Sequence, residues 1–185
     1  MIQYESVFDT TFFLKFTPPN SKKLQSLVDK ITKAENDDPH AWDGNCLVET
    51  IALNADNWIE HLGPSLDMVS SHFDYTGAYQ VENPWVNLYN ENGFQEVHDH
   101  HECDMSAVFF VNHGNDFARF YFYDRMSGMM PKSLQKLTGY KTCCYPDIQP
   151  GEFIIFPSSF LHGVSPHRSK EIRKTLAFNF SFYNK

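Results

Sequence analysis

Long apolar runs are missing from this chain of 185 residues. No stretch of about 18 apolar residues occurs, so no membrane span is expected. Cys-x-x-Cys pairs are missing too. Cys46, Cys103, Cys143 and Cys144 are therefore not read as a structural zinc site, and in a reducing compartment they are expected to be free thiols. Basic residues are scarce: Lys and Arg number 15 against 23 Asp and Glu, which gives a net charge of −8 and a pI near 5.5. That balance argues against nucleic acid as a partner, because phosphate binding needs a basic surface. It leaves room for a small anion, which needs only one or two local cations. The segment Met1 to Glu5 shows no basic region followed by an apolar core, so no signal peptide is read and the cytoplasm is the expected compartment. Internal repeats and low-complexity segments are absent.

Aromatic residues are abundant, at 16% of the chain with 17 phenylalanines, and phenylalanine favours strands and thick sheet cores. The length suits one domain over residues 1–185. Its first part, residues 1–78, reads as mostly helical support. Ser6 to Phe16 reads as a strand stopped by Pro18-Pro19, and Asn20 or Ser21 caps a helix with Leu24, Leu27, Val28 and Ile31 on one face. Glu35 to Pro39 is a polar loop, and Asp43 to Thr50 an extended piece. A helical region over residues 56–73 is expected to break at Gly63-Pro64, with Pro64 starting a second helix.

From Tyr79 the period changes to two. Trp85 to Tyr89, Phe94 to His98, Met105 to Asn112, Phe117 to Tyr123, Glu152 to Phe156, His162 to Ser165 and Arg173 to Tyr183 read as strands. Residues 127–148 read as a long irregular insertion, with Met129, Met130, Tyr140 and Tyr145 suited to an apolar lid. Helices followed by short strands predict an α+β, mainly β architecture, with helices packed on one face of an antiparallel barrel or sandwich.

Two groups of residues carry chemistry. His98 and His100 are two apart at a strand end, so both imidazoles point to one side, roughly 6–7 Å apart along the backbone. His162, after a buried strand and a turn, could supply a third nitrogen to the same ion. Cys103 is close to the cluster, although a buried free thiol is its commoner role. On the last strand Leu176, Phe178, Phe180 and Phe182 share one face, while Arg173, Thr175, Ala177, Asn179 and Ser181 share the other. Arg173 and Thr175 project together, and a guanidinium beside a hydroxyl grips a carboxylate well.

The motif order is Trp85-Val86-Asn87, Gly93, Gln95-Glu96-x-His98-x-His100, Ser106, Pro150-Gly151-Glu152, Phe156-Pro157-Ser158, Leu161-His162-x-Val164-x-Pro166, Arg173-x-Thr175 and Phe178-Asn179. Over residues 83–183 it resembles the 2-oxoglutarate- and iron(II)-dependent oxygenases of the prolyl-hydroxylase-like group found in bacteria and marine viruses. The resemblance implies a double-stranded β-helix (jelly-roll, cupin-like) core. It implies iron(II) bound by His98 and His162, and 2-oxoglutarate held by Arg173 with help from Thr175 and from Tyr89. The activity it implies is hydroxylation of a C–H bond with dioxygen, releasing succinate and carbon dioxide, on a peptide residue such as proline or on a small molecule. In the usual triad the residue at position 100 is a carboxylate. Here it is His100, so either three histidines bind the metal or the register slips towards Asp99, Glu102 or Asp104.

The residues alone also fit a cupin-like metal enzyme or sensor that uses no 2-oxo acid, and a jelly-roll binding module without catalysis. Aromatic-rich sheet proteins often dimerise, so a homodimer is one expectation.

Overall fold

The structure is a computed structural model, and it describes residues 12–31 and 46–183. The expected strand over residues 6–11, the loop at Glu35 to Pro39 and the start of the extended piece at Asp43 lie outside the described residues. In chain order the elements are β1 (Leu14–Phe16), α1 (Ser21–Asp29), β2 (Glu49–Ala52), α2 (Ala55–Phe73), β3 (Ala78–Val81), β4 (Trp85–Tyr89), β5 (Gln95–His98) and β6 (Met105–Phe110). They continue with β7 (Phe120–Tyr123), α3 (Lys132–Thr138), β8 (Cys143–Cys144), β9 (Phe153–Pro157), β10 (His162–Val164) and β11 (Arg173–Tyr183).

Two antiparallel sheets form a jelly roll. The larger runs β1-β9-β6-β11-β4-β2, with β3 added beside the far half of β11. The smaller runs β5-β10-β7-β8. The large sheet is covered on both faces, and the side-chain period of two assigns each face. On one side Phe153 and Ile155 of β9 and Leu176, Phe178 and Phe180 of β11 pack with Leu24 and Val28 of α1 and Trp58, Leu62, Leu66 and Val69 of α2. On the other, Ile154 and Phe156 join Tyr89, Phe110, Phe120 and Val164 between the sheets. Burial on both faces explains why β9 reads as an unbroken apolar run.

Strand β11 is the central element. Its first half pairs with β4, its second half with β3, and its opposite edge with β6. Its apolar face meets the helices as the alternation predicts, and its polar face looks into the space between the sheets.

Two expectations are corrected. Helix α2 runs unbroken through Pro64. A proline normally disfavours the helical conformation of the residue before it by crowding that residue's Cβ, and Gly63 has none. Trp58 and Leu62 before the proline and Leu66 and Val69 after it are all buried, so packing holds one continuous axis. The insertion is not irregular either. A 3-10 turn at Arg125–Gly128, helix α3 and strand β8 occupy it. Gly139, at φ 69°, ends α3 in the left-handed conformation that glycine adopts readily.

The Pro150-Gly151 turn into β9 is a type II β-turn in outline: Gly151 has φ 88° and Glu152 N–H donates to Gln149 O at 3.1 Å. Ser21 Oγ donates to Gly151 O at 2.8 Å, tying the start of α1 to this turn.

Candidate metal and anion site

Strand pairing, and not sequence proximity, gathers the three histidines. His162 is the register partner of His98 across β10 and β5. His100 lies in the turn after β5, where its backbone N–H donates to Ser158 O at 2.8 Å. The ring centroids of His98 and His162 are 4.3 Å apart, those of His98 and His100 5.1 Å, and those of His100 and His162 5.3 Å. One ligand nitrogen from each falls within 4.8 Å of the others. Among the described residues this is the group able to hold a metal ion.

Backbone carbonyls set two of the rings. His98 Nδ1 lies 2.7 Å from Glu96 O and His162 Nδ1 lies 2.8 Å from Phe160 O. A carbonyl only accepts, so each Nδ1 carries the proton and each ring offers Nε2 to a metal. Burial lowers the pKa of both. His162 lies well below its usual value, first through burial and then through His98, and His98 is lowered by burial despite its bond to Glu96. Both are therefore neutral at pH 7, the form that ligates. Phe156 and Phe120 stand 4.9 and 5.5 Å from the His162 ring and keep that side of the site apolar.

Two of the neighbouring carboxylates and the thiol are engaged elsewhere. Asp99 pairs with Arg125 and His101, each at 2.9 Å. Asp104 accepts from Phe182 N at 2.8 Å. Glu102 is exposed at the rim of an outer cavity. Cys103 Sγ donates to Glu82 Oε1 at 3.0 Å.

The second group lies deeper: His98 and His100 are half-buried, whereas its members are buried throughout. Arg173 is opposite Tyr89 in the β11–β4 pairing, and Thr175 is opposite Asn87. The Arg173 guanidinium carbon sits 4.7 Å from the Tyr89 ring centre and 5.5 Å from that of Phe110. Arg173, Thr175 and Tyr89 are 3%, 2% and 1% exposed. Burial pushes the Tyr89 hydroxyl up to about 12, so it stays protonated, and it donates to Gln95 Oε1. Burial also lowers the pKa of Arg173, yet a guanidinium remains charged at neutral pH. Among the described residues no carboxylate lies within ion-pair distance of it. Its Nη1 is buried with no hydrogen-bond partner.

The histidines, Arg173, Thr175 and Tyr89 all line one narrow cavity between the sheets. Sequence reasoning placed Asn87, Ser106 and Asn179 in the motif order but gave these polar residues, which share the cavity, no role in the site. Asn87 is bonded by Thr50 at 3.0 Å, and Ser106 Oγ donates to Asn179 Oδ1 at 2.8 Å. The available signal was alternation: Asn87 is two residues from Tyr89, and Asn179 continues the polar face of β11. The arrangement is a cluster of three imidazoles beside a buried cation with no carboxylate partner among the described residues, which suits a metal and a chelating carboxylate.

Comparisons agree with that chemistry. A family model described as "Putative 2OG-Fe(II) oxygenase" matches residues 83–179, just over half the chain. No curated protein matches the sequence. Among solved structures, the fold is similar to an oxidoreductase of the 2OG-Fe(II) oxygenase family from Burkholderia pseudomallei, with TM-score 0.61 and 13% identity over 87% of this chain and 77% of that one. It is similar to HygX from Streptomyces hygroscopicus, solved with nickel and 2-oxoglutarate bound, with TM-score 0.62 and 11% identity over 95% of this chain and 84% of that one. It is also similar to a prolyl-4-hydroxylase from Pseudomonas putida, with TM-score 0.59 and 12% identity over 93% of each chain. At these identities the structural likeness is one of fold, a double-stranded β-helix. The family match covers the strands that carry the histidine cluster and the buried arginine, and the chain belongs to the 2OG-Fe(II) oxygenases, enzymes that use iron(II) and 2-oxoglutarate.

Proposed function

We propose that this oxygenase hydroxylates a C–H bond of a peptide residue or small molecule, with release of succinate and carbon dioxide. His98, His100 and His162 hold iron(II), and Arg173, with Thr175 and Tyr89, receives the far carboxylate of 2-oxoglutarate. Bound iron(II), with 2-oxoglutarate and dioxygen, supplies the oxidising power for such a step. The protein's own part is placement. Nδ1 bonds to Glu96 and Phe160 aim two imidazoles, Phe120 and Phe156 exclude water, and Tyr89 and Gln95 fix the wall beside the guanidinium.

The observation that carries this reading is the unpartnered Nη1 of Arg173. A buried guanidinium with an unmade bond is costly unless an anion completes it. A dicarboxylate reaching from the imidazoles to β11 supplies that anion. The unused nitrogen also separates this reading from a cupin-like protein without a 2-oxo acid, which leaves Arg173 no role.

Calorimetric titration of the metal-loaded protein with 2-oxoglutarate tests it. Arg173→Ala is expected to weaken binding by roughly 30-fold or more, the cost of removing one partner of a buried charged pair. Unchanged affinity in that variant contradicts the assignment.

A further inference from the structure

A second cavity with a volume of ≈ 510 Å³ adjoins the inner one, ample for a small-molecule group or a side chain. Trp85, His100 and Asn179 line both, so whatever fills the outer cavity lies beside the histidine cluster. Arg173 and Thr175 line the inner one alone. The two ends therefore differ in charge: the inner end carries the buried guanidinium, while Glu82, Asp99 and Glu102 line the outer mouth and no lysine or arginine does.

These carboxylates are not equivalent. Asp99 is paired with Arg125 and His101, and Glu102 sits on the exposed rim. Glu82 is held by neutral donors. Cys103 Sγ donates to Oε1 at 3.0 Å and Asn179 Nδ2 donates to Oε2 at 3.3 Å. Asn179 is itself 5% exposed and fixed by Ser106. The Glu82 backbone N–H also donates to Asn179 O at 3.0 Å. The exposed carboxylate is thus oriented by two side-chain donors while its charge is left uncancelled: among the described residues no Lys, Arg or His comes within ion-pair distance of it. Three residues on, the Trp85 ring lines the same cavity, 5.8 Å from the ring of His100. An oriented carboxylate and an indole in one cavity together receive an organic cation.

We infer that the substrate carries a protonated amine or guanidinium, held in the mouth by Glu82 and Trp85, while the carbon to be oxidised reaches inward past His100. This assignment rests on the proposed iron and 2-oxoglutarate reading and extends it to the substrate.

The test is calorimetry on nickel(II)-loaded protein with and without 2-oxoglutarate. The probes are N-acetyl-lysine methylamide and spermidine as cations, N-acetyl-norleucine methylamide as the neutral match and N-acetyl-glutamate methylamide as the anion. The cations are expected to bind and the other two to bind at least about tenfold more weakly, the size of one hydrogen bond to a charged group. Glu82→Gln, at an exposed position that tolerates the change, is expected to weaken cation binding about tenfold and to leave 2-oxoglutarate affinity as it was. Equal binding of the norleucine or glutamate probe overturns the assignment. So does an unaltered Glu82→Gln, or failure of both cations to bind while 2-oxoglutarate still does. If 2-oxoglutarate fails to bind and Glu82-dependent cation binding persists, the co-substrate reading falls and the mouth assignment stands. Loss of both overturns both.

Discussion

His98 and His162 are register partners across β5 and β10, and their ring centroids are 4.3 Å apart. Burial keeps both rings neutral, and each Nδ1 is bonded to a carbonyl two residues before it, that of Glu96 on β5 and that of Phe160 in the turn before β10. The proposed iron site adds His100 to them, a set of three imidazoles with no carboxylate. With iron(II) such a set would keep the full charge of the ion, where a site with one carboxylate keeps one unit less. A dianionic co-substrate bound beside Arg173, as proposed, would then meet a more positive centre.

The ligand set predicts a clear order of metal affinities. His98→Ala, His100→Ala and His162→Ala are each expected to weaken nickel(II) or iron(II) binding by more than the roughly 10- to 100-fold typical of losing a residue that supports a ligand. Asp99→Asn and Glu102→Gln are expected to leave it nearly unchanged, because Asp99 turns to Arg125 and His101 and Glu102 faces the outer rim. Equilibrium dialysis against a chelator measures both groups. A large loss in Asp99→Asn, with His100→Ala near wild type, points to a carboxylate ligand instead.

Arg173 predicts a conflict between stability and binding. Its charge is buried without a carboxylate partner among the described residues, so Arg173→Met is expected to stabilise the ligand-free fold by about 1–4 kcal/mol while abolishing 2-oxoglutarate binding. Urea unfolding without ligand and calorimetry with 2-oxoglutarate read the two effects. A marked loss of stability in Arg173→Met means that the guanidinium is satisfied within the fold.

The two depressed histidines set a pH dependence. Unfolded, His98 and His162 take up protons near pH 6.5. Folded, they do so only at lower pH. Above pH 6.5 both states are neutral at these positions and their effect on stability is nil. Below it the unfolded chain binds protons the folded chain refuses, so metal-free stability falls with acidification, by roughly 1 kcal/mol per pH unit for each histidine, until the folded values are reached. Urea midpoints at about pH 7.5 and about pH 5.5 check this. His162→Phe is expected to flatten the dependence, and bound metal to steepen it, since protons compete for the ligand nitrogens.

Gly151 gives a prediction about the scaffold. Gly151→Ala places a Cβ at φ 88° and 2.5 Å from Ser21 Oγ, so it strains the turn and disturbs the tie to α1. A loss of about 1–3 kcal/mol is expected in urea unfolding. Combining it with Ser21→Gly relieves the contact but not the strained φ, and is expected to recover only part of the loss.

Much of the site was legible because it depends on side-chain period. The alternation in β11 separated Leu176, Phe178 and Phe180 from Arg173, Thr175 and Asn179, and the structure keeps those faces apart. His98 and His100 were readable as neighbours from their spacing. The meeting with His162 rests on a strand pairing between residues 64 positions apart, which local pattern does not encode. Pro64 misled because local steric rules predict a break, whereas burial on both sides of it carries α2 through. Helix α3 escaped notice because it has seven residues, none of them buried, so no apolar stripe marks it. Glu82 was invisible as a functional residue: its orientation comes from Cys103 and Asn179, which are distant in sequence.

The central claim is that the imidazole cluster and Arg173 together hold iron(II) and 2-oxoglutarate. Anaerobic titration of the iron(II)-loaded protein with 2-oxoglutarate, followed in the visible spectrum, tests it most directly. The account predicts a weak metal-to-ligand charge-transfer band that saturates with 2-oxoglutarate and is lost in His162→Ala. Bound iron without that band, or a band that persists in His162→Ala, contradicts it.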